Sequence, residues 1–277
     1  MGTNLDDHTA QGFDLIWKRY SVPDAGGIHG EAAEAFDSYF SIFPLDRLAE
    51  AEGFDLGCGN GRIAVSVAPR AGFLHCIDQS AAGLASARQA MRHRRNVDFL
   101  HASVDAIPLP DGSQDFGYSI GVLHHIPNPV AGLQCCVDKL KPGAPFLLYL
   151  YYSLDNRPAW FRLVWRGSDL ARRLICRMPF PLRAAASTAI AATVYWPLSR
   201  TGRVLRKLGL PTRNLPLSFY IDQPWADLQA DALDRFGTAV EHRFSRAEIE
   251  RMMLDAGLCD VRFAEGPPYW IALGYKG

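Results

Sequence analysis

Three alternating glycines mark the first segment of the chain whose residue types suggest chemistry. They follow an aspartate in the run Asp55-Leu56-Gly57-Cys58-Gly59-Asn60-Gly61-Arg62. Because glycine has no Cβ, such a run can turn tightly and bring its backbone against a ligand. An acidic residue directly before the turn favours a cationic ligand and disfavours a diphosphate. The run therefore predicts a binding site for a small cationic molecule.

The spacing of these glycines bears on the identity of the ligand. Gly57, Gly59 and Gly61 form Gly-x-Gly-x-Gly, whereas the dinucleotide fingerprint is Gly-x-Gly-x-x-Gly. A diphosphate needs a helix N-terminus aimed at it, but S-adenosylmethionine (SAM) carries a sulfonium, an amine and a carboxylate. The spacing favours SAM, and an NAD-dependent oxidoreductase is the alternative enzyme class.

The glycine run resembles the first motif of the class I SAM-dependent methyltransferases, Asp-x-Gly-x-Gly-x-Gly. The resemblance is to members that act on small molecules, and it covers residues 50–152 and the C-terminal segment. It implies that the run supplies part of the cofactor site, namely Asp55, Gly57, Cys58, Gly59 and Gly61. Arg62 is a further candidate for the cofactor carboxylate, and its alternative is a solvated helix residue.

The resemblance also assigns the residues at the end of the second strand. Asp78 stands where the family carries an acid, with Gln79 beside it as a second cofactor contact. A carboxylate at this point can accept hydrogen bonds from both ribose hydroxyls. The alternative for Asp78 is an N-cap of the helix that begins near Ser80.

The segment after the third strand resembles the family's adenine-binding segment. Ser103 occupies the matching position, so Ser103 and the backbone amide of Val104 are predicted to contact the adenine edge. The commoner aspartate is absent there, and Asp105 follows two residues later as another candidate.

The segment Gly121-Val122-Leu123-His124-His125 resembles the Gly-Val-Leu-His-His form of the family's fourth motif. Gly121 is assigned to the cofactor. His124 and His125 are candidate general bases, because imidazole titrates near neutral pH. A base is needed only where the acceptor must lose a proton. The alternatives for the histidine pair are a cap on the strand end and a cofactor contact, and His125 is the preferred base.

Aromatic residues on two segments are candidates for the remaining walls of the site. Tyr151 and Tyr152 end the fifth strand and are assigned to the acceptor, with a packed strand end as the alternative. By period-two alternation Tyr149 and Tyr151 share one face of the strand. On the N-terminal helix, Trp17 is assigned to the acceptor and Tyr20 to the methionine end of SAM.

Positioning these residues requires an alternating β and α pattern, and the chain shows one from residue 54 onward. Strands are predicted at residues 54–57, 73–78, 97–101, 116–121, 145–151, 259–263 and 270–275. Helices are predicted at residues 13–20, 31–43, 62–68, 80–94, 129–139 and 245–256. The last helix opens with the capping box Ser245 and Glu248. Ligands of such sheets bind beyond the carboxyl ends of the strands, where the motifs converge.

Residues 156–213 depart from this pattern and predict two or three helices broken by Pro179, Pro181, Pro197 and Gly209. They contain twelve Lys and Arg residues against the single acid Asp169. The segment is predicted to be a substrate lid. Its charge indicates an anionic acceptor, peripheral contact with an anionic lipid surface, or arginines that simply face water.

Composition limits the partners. The chain has 277 residues with 29 Lys and Arg against 29 Asp and Glu, so its net charge points to no nucleic-acid partner. The first residues lack the features of a secretory signal, and the six cysteines show no zinc spacing. We expect a cytoplasmic protein with free thiols and no metal, and the sequence does not indicate its oligomeric state.

The resemblance implies a Rossmann-like, doubly wound α/β domain with a seven-stranded mixed sheet, to which the sequence adds N-terminal helices and a helical lid inserted after strand five. Its parts are an N-terminal cap (1–48), a SAM-binding core (49–154), the lid (155–240) and closing elements of the core (241–277). The predicted function is methyl transfer from SAM to a small molecule, with S-adenosylhomocysteine as product. Anionic, natural-product and lipid-linked acceptors are candidates. A non-catalytic SAM-binding protein is a further alternative.

Overall fold

A computed structural model of the chain describes residue 4 and residues 7–19, 31–212, 215–266 and 269–277. Tyr20, assigned above to the cofactor, lies outside the described residues. The chain divides into two compact units. The first contains Met1–Ser153 and Val240–Gly277, and the second contains Leu154–Ala239.

A seven-stranded sheet forms the centre of the first unit. Its strands are β1 (Glu52–Leu56), β2 (Phe73–Asp78), β3 (Val97–His101), β4 (Phe116–Ile120), β5 (Pro145–Tyr149), β6 (Leu258–Phe263) and β7 (Ile271–Lys276). Their spatial order is β3-β2-β1-β4-β5-β7-β6. The first five strands are parallel, and β7 is antiparallel to both β5 and β6. The predicted Rossmann-like fold with a mixed sheet is confirmed.

The helices follow the predicted alternation with the strands. They are α1 (Asp7–Arg19), α2 (Glu31–Phe40), α3 (Ala64–Val67), α4 (Ala81–Ala90), α5 (Pro129–Asp138), α6 (Ala159–Ile175), α7 (Phe180–Ile190), α8 (Trp196–Lys207), α9 (Trp225–Gly237) and α10 (Arg246–Asp255). The predicted capping box is confirmed, since the Ser245 side chain accepts from the Glu248 amide and the Glu248 side chain accepts from the Ser245 amide.

Helices cover both faces of the sheet because its central strands are apolar on both sides. Along β5, Leu147 and Leu148 point to opposite faces, and both are fully buried. Leu148 packs in a core with residues of α5 and α10, whereas Leu147 packs in a core with residues of α2, α3 and α4. Burying one such side chain stabilises the fold by about 1.5–3 kcal/mol. This packing fixes the sheet edge where the predicted motifs lie.

The second unit is helical. Residues of α6 and α9 and the turn between α7 and α8 form its core, with Ile175, Tyr195, Leu228 and Phe236 among the buried side chains. Helix α9 was not predicted. It packs against α6 and α7. Among the described residues, no helix is long and apolar enough to cross a membrane.

The predicted break at Pro197 is wrong. A π-helical turn at Ala191–Tyr195 joins α7 directly to α8, and Pro197 lies in the first turn of α8. Proline lacks the amide that would donate to the preceding turn, and the π-helical turn just before Pro197 changes the hydrogen-bond spacing at that point. By contrast, Gly209 adopts a positive φ of 73° just after α8 ends, as expected for a helix-terminating glycine.

Candidate functional site

The glycine run forms a tight turn at the carboxyl end of β1. Gly57, Gly59 and Gly61 have φ values of +77°, +52° and +81°, which L-residues rarely adopt. The amides of Gly57 and Cys58 both donate to the Ile77 carbonyl, at 2.7 and 3.1 Å. A Cβ at Gly57 would lie 2.2 Å from the Val122 side chain, so this position requires glycine.

Asp78 ties the glycine turn to the end of β2. Its Oδ2 accepts from the Gly59 amide and its Oδ1 from the Ser80 amide, both at 2.7 Å. Burial raises the pKa of Asp78, and these two backbone hydrogen bonds oppose the increase. Ser80 itself is the N-cap of α4, since its side chain accepts from the Gly83 amide. The alternative that Asp78 is the helix N-cap is therefore wrong.

Asp55 lies behind the turn, inside the sheet. It pairs in register with Cys76 on one side and Tyr118 on the other, and its side chain is buried. Burial raises the pKa of Asp55 to about 8, and the Tyr118 hydroxyl opposes this only in part. The carboxyl is therefore mostly protonated at neutral pH in the absence of a ligand. A cation bound at the turn would favour its ionised form.

The raised pKa of Asp55 predicts that the free energy of unfolding decreases as pH rises, and that Asp55→Asn removes this decrease. In the unfolded chain the pKa of an Asp is near 4, so between about pH 4 and pH 8 the folded state holds a proton that the unfolded state releases. Wild-type stability is therefore highest at the acid end of this range and falls as pH rises, by up to about 1.4 kcal/mol per pH unit. Urea unfolding should show that the free energy of unfolding of the variant increases relative to that of wild type from about pH 5 to about pH 8.

The matched control for this prediction is Asp255→Asn, an exposed aspartate at the end of α10. Its free energy of unfolding should follow that of wild type at every pH. A constant difference between Asp55→Asn and wild type across the range would show that Asp55 ionises normally in the folded protein.

Helix α1 lies directly over the glycine turn. A Cβ at Gly59 would lie 2.8 Å from the Trp17 ring, so the indole occupies the space beside that glycine. Asp14 Oδ1 accepts from the Ser80 hydroxyl at 2.9 Å and from the Ala82 amide at 3.0 Å, at the N-terminus of α4. Sequence reasoning missed Asp14. Its position three residues before Trp17, on the same side of a helix, was the available signal.

The predicted adenine segment follows β3 and begins a 3₁₀ turn at Val104–Ala106. Val104 is buried, and Ser103 is the N-cap residue, although its side chain caps no amide. Asp105 is exposed, and its carboxylate accepts from the backbone amide of Asn4 and, at 2.7 Å, from the Asn4 side chain. Nearby, the Gln79 carbonyl accepts from Nε2 of His101 at 2.9 Å.

The fourth motif follows β4 at the same edge of the sheet. Gly121 has a φ of +78°, and a Cβ there would meet no described atom within 4 Å. Its amide donates to the Tyr149 carbonyl at 3.1 Å, which places this loop beside the end of β5. Both histidines lie in the 3₁₀ turn Leu123–His125 that comes next.

His125 is buried and held in one orientation. Its Nδ1 lies 2.8 Å from the Val240 carbonyl, which can only accept, so Nδ1 carries the proton. In the neutral ring the lone pair is then on Nε2. The ring packs edge-on against Phe13 of α1 and against Tyr151, with distances between ring centres of 5.3 and 5.5 Å.

His124 is fully buried and has a different environment. Its ring stacks on Tyr151 at 3.8 Å, and its Nδ1 accepts from the Tyr151 amide at 3.4 Å. Burial, and then the neighbouring His125, Arg243 and His242, hold the pKa of His124 well below its usual value. His124 is therefore neutral and a weak base. No described residue pairs with its Nε2.

A buried ion pair that sequence reasoning missed supports the aromatic end of β5. Arg243 Nε donates to Glu241 Oε1 at 2.8 Å, and the guanidinium lies 5.1 Å from the centre of the Tyr151 ring. Arg243 also donates to the Tyr152 carbonyl at 3.1 Å. Breaking such a pair is costly, because it leaves one charge buried without its partner.

Two further predicted residues lie at the margin of this arrangement. Arg62 is exposed just after the turn, with its amide donating to Asn60 Oδ1 at 3.2 Å. The ring of Tyr152 packs against that of Tyr269, with 5.5 Å between ring centres. The rings of Tyr149 and Tyr151 pack against each other, with 6.3 Å between ring centres. Among the residues that the structure describes, no three potential metal ligands cluster.

Comparison with known proteins identifies a domain in the same part of the chain. A family described as a methyltransferase domain matches residues 54–148, which include the glycine turn, Asp78 and both histidines. Residues 54–148 therefore belong to a methyltransferase domain, and the sheet around them has the class I fold. The cofactor of this class is SAM, as the resemblance implied. The finer assignment to a Gly-Val-Leu-His-His subgroup stays a prediction.

Curated relatives of this methyltransferase domain include ubiquinone biosynthesis O-methyltransferases. The protein from Xanthomonas oryzae pv. oryzae (strain PXO99A) is 31% identical over 132 residues, covering 47% of this chain and 54% of that protein. The protein from Alkalilimnicola ehrlichii is 25% identical over 181 residues, covering 62% and 69% of the two chains. The chain thus spans about half the length of the first of these relatives.

A solved structure shows the same fold over nearly the whole chain. It is the complex of the Haloferax volcanii Trm112 methyltransferase activator with the putative methyltransferase, with a TM-score of 0.54 and 16% identity. The match covers 95% of this chain and 96% of that chain. At this identity the likeness establishes the fold alone.

Proposed function

We propose that the protein transfers a methyl group from SAM to a hydroxyl group of a small molecule. The observation that carries this proposal is the glycine turn bound to Asp78, one loop away from an oriented His125. The matched methyltransferase domain supports the reaction type. The names of the curated relatives, which are O-methyltransferases of ubiquinone biosynthesis, support a small-molecule oxygen acceptor.

The residues at the sheet edge fit SAM. Asp78 is only half-buried, and an ionised carboxylate has about four lone-pair positions, of which the two backbone amides use two. The remaining positions suit the two ribose hydroxyls. The open space at Gly121 leaves room for a ligand beside the turn. Backbone of Gly57, Gly59 and Gly61 would hold the methionine part, with Cys58, Gln79, Ser103, Val104 and Arg62 as the remaining candidate contacts.

His125 is the proposed general base. When bound, SAM supplies the electrophilic methyl group. Nε2 of His125 accepts the proton of the acceptor hydroxyl as the oxygen becomes nucleophilic. The hydrogen bond from Nδ1 to Val240 fixes the tautomer and stabilises the imidazolium that forms. His124 and Tyr151 position this ring from the side of β5, since both rings contact it.

The acceptor is proposed to lie between His125 and the aromatic residues that follow β5. Tyr151 stacks on His124 and lies under Arg243, which keeps its ring in a fixed orientation. Holding donor and acceptor in attack geometry supplies much of the acceleration of a methyl transfer. Tyr152 and Trp17 are the other candidate contacts for the acceptor.

Calorimetry tests the cofactor part of this proposal. S-adenosylhomocysteine should bind the purified chain with micromolar affinity or better, and NAD should give no binding heat under the same conditions. Binding of NAD without S-adenosylhomocysteine would instead favour the oxidoreductase alternative. With SAM and a panel of small hydroxyl compounds, mass spectrometry should detect one added methyl group. Tight cofactor binding without turnover of any acceptor would favour the non-catalytic alternative.

A further inference from the structure

Helix α6 of the second unit exposes a stripe of large apolar side chains. Trp160, Leu163, Val164, Leu170 and Leu174 are between 49% and 69% exposed. Their successive steps of three, one, six and four residues place them on one side of the helix, within about a third of its circumference. Large apolar side chains are common singly on protein surfaces, but a contiguous row indicates an interaction site.

A row of arginines lies beside this stripe. Arg162, Arg166 and Arg173 are exposed on α6, and the exposed Arg177 follows two residues after its end. At about 100° per residue these four fall on one side of the stripe. The single acid of α6, Asp169, is buried and bound by Arg172 and Arg173. The exposed surface of α6 is therefore apolar along one arc and positive along the next.

The remaining arc of α6 is fixed in the core of the second unit. Ile175 is buried there, and the buried Arg172 donates to the carbonyls of Thr238 and Ala239 at 3.1 and 3.3 Å. These contacts use the polar and apolar groups on the inner side of the helix. They orient the stripe and the arginine row outward.

We propose that this surface of α6 docks on an anionic lipid bilayer. The leucine and tryptophan side chains would enter the boundary between headgroups and acyl chains, and the arginines would contact lipid phosphates. A second copy of the chain fits less well, because an antiparallel symmetric contact would bring two arginine rows together. A nucleic acid would use the arginines but not the stripe. The inference concerns lipid binding and does not depend on the proposed methyl transfer.

Vesicle sedimentation with the full chain tests this inference. The protein should bind vesicles that contain phosphatidylglycerol at least about tenfold more tightly than vesicles of phosphatidylcholine alone, and added salt should weaken the binding. The double variant Arg162→Gln and Arg166→Gln should lose about twenty-fivefold in affinity, since each arginine near an anionic surface contributes about fivefold. The matched control is Arg251→Gln, an exposed arginine of α10, which should bind like wild type.

The apolar stripe is tested separately. Leu163→Asp together with Leu174→Asp should abolish binding to anionic vesicles, whereas Leu254→Asp, at an exposed leucine of α10, should leave it unchanged. Circular dichroism and S-adenosylhomocysteine binding check that each variant is folded. Equal binding to neutral and anionic vesicles, or full binding by the stripe variant, would overturn the inference. The inference would also be overturned if the wild-type protein were a dimer that binds no vesicles and the stripe variant were a monomer.

Discussion

Replacing His125 by alanine is expected to lower kcat by about 10²–10⁴ while changing the affinity for SAM very little. The reason is geometric. The bond from Nδ1 to Val240 leaves the lone pair of the neutral ring on Nε2, and the ring lies against Phe13 and Tyr151. A proton acceptor in this orientation can remove the proton from the hydroxyl group that receives the methyl group. Single-turnover kinetics and calorimetry on the same preparation separate the chemical step from cofactor binding.

Two other histidines provide the controls for this experiment. His93 is exposed, and His93→Ala should retain the wild-type rate. His124→Gln should retain a larger part of kcat than His125→Ala, because burial makes His124 a weak base and its role is to support Tyr151. A parallel loss of SAM affinity in His125→Ala would assign His125 to cofactor positioning. A near-normal rate would remove it from the proposed mechanism.

The parts of this site that are encoded locally could be predicted from the sequence. The glycine turn requires a positive φ at every second position of three. Only glycine adopts that conformation without strain, so the spacing of the glycines in the sequence identifies the motif. The capping box before α10 is likewise a four-residue pattern. Parallel strands then bring the loops after β1 to β5 to one edge, because a parallel sheet aligns its carboxyl ends.

The contacts that orient the chemistry could not be predicted in this way. His125 bonds to Val240, and Tyr151 lies under Arg243, over separations of 115 and about 90 residues. Neither Val240 nor Arg243 stands in a motif. Helix α9, by contrast, was missed although its buried residues Leu228, Ala232 and Phe236 recur at helical spacing. The pKa of Asp55 also depends on burial between β2 and β4, which the residue type alone does not disclose.

Asp78 gives the second large effect, because it has two roles that one substitution removes together. Its carboxylate holds the Gly59 and Ser80 amides, and its remaining lone pairs are proposed to bind the two ribose hydroxyls. Asp78→Ala is expected to weaken S-adenosylhomocysteine binding by about a hundredfold, since a hydrogen bond to a charged group contributes about 1.5–3 kcal/mol. Asp255→Ala, which removes an exposed carboxylate at the end of α10, is the control and should bind as wild type does.

The two roles of Asp78 can be separated by changing the ligand as well as the protein. Removing the 2′- and 3′-hydroxyls from S-adenosylhomocysteine should weaken its binding to wild type by a similar factor. If Asp78 binds those hydroxyls, the Asp78→Ala variant should bind the dideoxy ligand and S-adenosylhomocysteine with nearly equal affinity, because the variant has already lost the contact with the hydroxyls. If Asp78 only holds the Gly59 amide, the two losses should add. Calorimetry on both proteins with both ligands distinguishes these results, and additive losses would remove Asp78 from the ribose site while leaving its role in the turn.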